Sequence, residues 1–171
     1  MTAHRLSGLS LVAALWAAAL PAVAQTAPAA SYALRFMTPE TALKAAQAAL
    51  GHCRGQGFQV AVAVVDRSGL AQVLLRDRFA GAHTVEMAQG KAWTAASFRV
   101  STAALGTETQ AGRPMSGIRA LPRVVAAGGG LPIEEGGTLW GGIGVSGAPG
   151  GDADDACAAA GIKAIADELA F

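Results

Sequence analysis

The segment that most constrains the fold is Phe58 to Asp66, which reads FQVAVAVVD. Phe58, Val60, Val62 and Val64 fall on one face of an extended chain, and Ala61, Ala63 and Val65 fall on the other. Both faces are apolar, so this is a central strand that must be covered on each side. Asp66-Arg67-Ser68-Gly69 follows as a tight turn, with glycine where a positive φ is needed, and Leu70 to Arg76 returns as the antiparallel partner.

The elements around this hairpin carry their own start and stop signals. Thr38-Pro39-Glu40 opens a helix with a hydroxyl cap, a first-turn proline and a carboxylate at the positive end; Leu43, Ala46, Gln47 and Leu50 form its stripe, and Gly51 or Gly55 stops it. A second helix is expected from Thr84 to Phe98, with Val85, Ala88, Ala92 and Ala95 as a narrow small-residue stripe, and a short one begins at Ser101 or Thr102. From Gly128 to Gly151, 11 of 24 residues are glycine, yet Thr138 to Ser146 reads as a strand paired through Glu135-Gly136-Gly137 with Leu131 to Glu134. Asp152, Asp154 and Asp155 open a last helix running to Leu169. The order of helix, hairpin, helices, hairpin, helix gives an α+β domain with an antiparallel sheet.

At the other end of the chain, His4 and Arg5 lead into an apolar run from Leu6 to Leu20, then Pro21 and Ala22-Val23-Ala24. These are the parts of a secretory signal peptide over residues 1–24, cut after Ala24. A membrane anchor is the rival reading, but a spanning helix needs about 20 apolar residues and this run is shorter. An exported protein, periplasmic or secreted, is therefore expected, with residues 25–37 as a flexible leader and 38–171 as the domain. Removing Arg5 leaves 12 basic against 12 acidic residues, which excludes the basic footprint of a nucleic-acid binder. Charged residues make up 15% of the chain and hydrophobic ones 52%, a surface budget that points to a homo-oligomer. Cys53 and Cys157 can form one disulfide in an oxidising compartment, or remain buried thiols.

Gly142-x-Gly144-x-x-Gly147 spells a dinucleotide fingerprint but lies within a strand and is followed by Pro149, so it fails on context. The glycines instead flatten one strand face so that a helix, a second subunit or a flat ligand can lie on it. Ser146 lacks the closing glycine of a hydrolase elbow. His52, at a helix end, is read as structural. His83 opens the second helix in Gly-Ala-His-Thr-Val-Glu; it is either a hydrogen-bonding residue of the helix start or an axial ligand, since one imidazole suffices for haem iron but not for a zinc site.

Taken together, AVAVVDRSG, HTVEMAQGKAWTAASF, GGGLPIEEGG and GGIGVSGAPGGDADDACAAAGI resemble the GlcG/HbpS family over nearly all of residues 38 to 170. The resemblance implies a profilin-like fold of about five antiparallel strands with helices on the sheet, assembly into homo-oligomers, and binding or degradation of haem. It places the H-T-x-E pattern on His83, Thr84 and Glu86, the K-A-x-T-A pattern on Lys91, Ala92, Thr94 and Ala95, the G-G-x-P pattern on Gly129, Gly130 and Pro132, and G-x-x-G-V-S-G on Gly141 to Gly147. The resulting expectation is a binding protein for haem, or another tetrapyrrole, held without a covalent link because no C-x-x-C-H attachment is present. His83, Thr84, Glu86, Met87, Lys91, Thr94 and Arg99 are the candidate contacts, with His83 as candidate iron ligand, Lys91, Arg99 or Arg78 for the propionates, and Trp93, Phe98 or Met87 for apolar contact. Two alternatives stay beside it: an enzyme that degrades the haem, and an accessory or sensory partner with no ligand of its own.

Overall fold

A computed structural model describes residues 29–170. The signal-like segment, residues 1–24, lies outside them. The first helix, α1 (Pro39–Gly55), starts as its sequence dictates, with the Thr38 side chain accepting from Thr41 N and Pro39 in the first turn. Its buried stripe differs from the expected one: Ala42, Ala45, Ala46, Ala49, Leu50 and Cys53 face inward, while Leu43 is 39% exposed. Alanines let α1 lie close to its neighbours, and the larger Leu43 is left at the surface. The stretch before it is anchored at its end, since Met37 is buried and its carbonyl accepts from Gln72 Nε2 at 2.9 Å.

Strands β1 (Ala61–Asp66) and β2 (Ala71–Arg76) form the first hairpin, and β3 (Gly130–Glu135) and β4 (Thr138–Ser146) the second. Gly69 closes the first turn at φ +78, and Gly136 and Gly137 close the second at φ +57 and +74, a region that costs glycine nothing. The sheet is antiparallel, in the order β2-β1-β4-β3, so β1 lies in its interior. It has four strands among the described residues, one fewer than the family resemblance suggested.

Helices cover both faces. Val60, Val62 and Val64 join Ile133, Ile143 and Val145 under α1 and α4 (Gly151–Lys163), forming the larger core. Ala61, Ala63 and Val65 pack on Ala88, Ala92 and Ala96 of α2 (His83–Phe98), forming a thinner one. The disulfide between Cys53 and Cys157, with Cα atoms 5.6 Å apart, staples α1 to α4.

Of the three occupants open to the bare glycine face of β4, the structure selects a helix. A Cβ built on Gly142 would collide with Ala92 O, and one on Gly144 with Ala88 O, so strand and α2 meet backbone to backbone. Ser101 caps α3 (Thr102–Glu108) through Ala104 N. The last helix is not continuous as expected. It ends at Lys163, where Ile165 N bonds to Ile162 O at 3.1 Å in a tightened turn that buries Ile165 fully, and a short α5 (Ala166–Leu169) follows. Among the described residues, no helix is long and apolar enough to cross a membrane.

Candidate functional site

A cavity of about 600 Å³ opens where three connections meet: the approach to β1 (residues 57–59), the β2–α2 loop and the glycine-rich β4–α4 loop. Its volume is that of a small-molecule site. Phe58 and Phe79 give it aromatic walls, His83 and Thr84 stand at one side, and Gly147 to Gly151 form another wall. Phe79 is 79% exposed although it is large and apolar.

A buried ion pair sets the shape of the glycine-rich wall. Lys91 lies on the buried face of α2, and its Nζ donates to Asp154 Oδ2 and to Val145 O, both at 2.8 Å. Asp154 Oδ1 accepts from Ala148 N at 3.0 Å, which pins the loop to the first turn of α4. Asp155 Oδ1 accepts from Gly129 N at 2.6 Å. Burial pushes the Asp155 carboxyl above its ordinary value, against the opposing pull of that backbone N–H and of Lys91.

His83 begins α2, and no side chain caps the helix before it. Its ring lies against the Gly81 backbone: a Cβ there would come within 2.7 Å of His83 Cε1 and 2.9 Å of Nδ1, with Nε2 farther away at 3.8 Å. Thr84 is buried, and its hydroxyl donates to Gly81 O at 2.6 Å, holding the turn that presents the histidine.

The candidate contacts named from sequence separate in space. His83, Thr84 and Lys91 line the large cavity. Lys91 has its charge committed to Asp154 and is 3% exposed, so its ammonium is a fixed part of the wall. Glu86 and Met87 line a second cavity of about 450 Å³ with Gln89, Gly90 and Arg123 to Val125. Thr94 is fully buried; its hydroxyl oxygen accepts from Val125 N at 3.0 Å. Arg99 is exposed in the left-handed region at the end of α2, lining neither cavity. Trp93 carries the Arg123 guanidinium over its ring at 5.0 Å. Sequence reasoning missed Phe58, Phe79 and Asp154 as cavity residues. Asp154 looked like one more carboxylate at a helix start, and no local pattern ties it to Lys91, 63 positions away.

Comparison with known proteins gives a consistent set of likenesses. Residues 37–163 match the family described as haem degrading protein HbpS-like. Corrinoid adenosyltransferase PduO of Citrobacter freundii is 30% identical over 147 residues, which make up 85% of this chain and 42% of that protein. The chain thus spans less than half the length of the curated relatives it matches. A crystal structure of a doubly substituted HbpS from Streptomyces reticuli has a TM-score of 0.72 at 35% identity, covering 81% of this chain and 97% of its own. A crystal structure of a PduOC:heme complex has a TM-score of 0.71 at 28% identity, covering 77% of this chain and 96% of its own.

Proposed function

Given that the chain belongs to the HbpS-like family, we propose that it is an exported, homo-oligomeric protein that binds haem, or a closely related tetrapyrrole, in the cavity beside His83. The observation that carries this reading is the cavity itself: one imidazole at a helix start, two phenylalanines and a glycine-rich wall around about 600 Å³. The fit to haem is chemical. Haem iron needs only one side-chain nitrogen from the protein, and His83, on the cavity wall, would hold it. Phe58 and Phe79 offer apolar faces to a flat macrocycle, and the Lys91–Asp154 pair holds the opposite wall in place. Both cysteines are engaged in the disulfide, which supports a group held without a thioether link. When bound, haem supplies a redox-active iron; the protein's residues bind and orient it and restrict water.

Two supporting observations concern context. The disulfide suits an oxidising compartment, as export requires. Leu74 of the outer strand β2 and Leu70, just before it, are 40% and 65% exposed, which is the kind of apolar surface a second subunit covers.

Titration of residues 25–171 with hemin tests the proposal: a saturable Soret change at about one haem per chain supports it, and no spectral change refutes it. A second reading, that the bound haem is also degraded, is favoured by the description of the family. It predicts loss of the Soret band with release of iron when the haem complex is given ascorbate in air, ascorbate supplying the electrons and dioxygen the oxygen atoms for ring opening, whereas a simple binding protein returns its haem intact.

A further inference from the structure

A smaller groove of about 420 Å³ lies beside the cavity, lined by Arg54, Gln59, Asp77, Arg78 and Phe79. Gln59 and Phe79 line both, so the two depressions meet at these residues. Its construction is unusual for a surface ion pair. Asp77 is 3% exposed and fixed by its backbone, its N donating to Val60 O at 3.0 Å and its O accepting from Ala80 N at 3.1 Å. Arg54, in the last turn of α1, donates through Nε (2.8 Å) and Nη2 to Asp77 Oδ1. A buried carboxylate therefore aims an arginine whose side chain remains 56% exposed and whose guanidinium has donors to spare. Asp77 Oδ2 is itself buried and accepts no hydrogen bond among the described residues, and with Asp77 3% exposed little of its carboxylate reaches the groove surface. Arg78 adds a second exposed guanidinium, leaving two positive charges against one negative among the lining residues.

We propose that this groove is the carboxylate-anchoring end of the cavity, taking the acidic arms of a ligand whose apolar ring system lies against Phe79 and His83. The proposal rests on the reading of the cavity as a ligand site and names the ligand class it admits: a flat apolar body bearing carboxylates. Arginine's planar fork suits a carboxylate in two-point contact, and Asp77 acts as the positioning residue that holds Arg54 for it. The anchoring groups are thus Arg54 and Arg78, in place of Lys91, whose charge is committed, and Arg99, which lies elsewhere.

The test compares hemin with hemin dimethyl ester, in which both carboxylates are masked. Wild-type protein should bind hemin at least ten times more tightly than the ester. Arg54→Gln/Arg78→Gln should lose that preference while binding the ester as wild type does. Arg78→Gln alone, outside the ion pair and safe for folding, should lose at least a fivefold share of it. Equal affinity of wild type for acid and ester overturns the proposal, as does an equal loss for both ligands in the variants. Should wild type bind neither, the haem reading fails, and the groove is then decided by 1-pyrenebutyrate against 1-pyrenebutanol. Preference for the acid that disappears in Arg78→Gln upholds the anchor, and no preference overturns it.

Discussion

Lys91 Nζ and Asp154 Oδ2 lie 2.8 Å apart beneath the wall of the cavity, their side chains 4% and 6% exposed, and join helices that sit on opposite faces of the sheet. The pair reaches across the end of β4 through Val145 O. Removing one partner leaves the other as an uncompensated buried charge. Lys91→Met is expected to destabilise the fold by about 3 to 5 kcal/mol, and Lys91→Met/Asp154→Leu by clearly less than Lys91→Met alone. Urea unfolding of the three proteins checks this; a double variant no better than the single one would contradict it.

The glycines divide into those that admit a neighbour and those that do not. Gly144→Ala drives a methyl group into Ala88 O and is expected to cost about 3 kcal/mol. Gly51→Ala, within α1 and with nothing within 4 Å of the new methyl, is expected to gain about 0.5 to 1 kcal/mol. Thermal unfolding should move in opposite directions for the two.

Burial raises the Asp155 carboxyl above its ordinary 3.8, so the folded protein holds that proton more tightly than the unfolded chain does. The stability this group contributes is full below pH 3.8 and is lost as pH rises through the raised value. Asp155→Asn keeps an oxygen to accept from Gly129 N but cannot ionise. Relative to wild type, the variant should gain stability between pH values below 3.8 and neutrality. Denaturant midpoints across that range read the difference, and a constant offset would rule the assignment out.

His83→Ala is expected to shift the Soret maximum of the hemin complex and weaken binding at least tenfold, about 1.4 kcal/mol. His52→Ala, in the last turn of α1, should leave both unchanged. Hemin affinity unaffected by the loss of His83 would remove the ligand assignment while leaving haem binding in place.

Sequence resolved best what short-range chemistry decides. Thr38-Pro39, Asp66 to Gly69, Ser101 and Gly136-Gly137 each satisfy or bend their own backbone, and each element begins or turns there. The double-faced β1 announced a covered sheet because its pattern has no solvent side. The site was harder to read, because the candidates on α2 share a segment but face different surroundings: His83 looks into the large cavity, Met87 into another, and Thr94 into packed protein. Arg54 and Asp77, 23 positions apart, carry no motif that would have paired them.

The Cys53–Cys157 bond has a topological consequence. Its ring runs from α1 to α4 and takes in every strand of the sheet, α2, α3 and the exposed stretch around Arg113 to Arg123. A protease that cuts that stretch opens the backbone but releases neither piece, because both remain covalently joined across the helical layer. The nicked protein should migrate as one band without reductant and as two with it, and its sheet should outlast the cut.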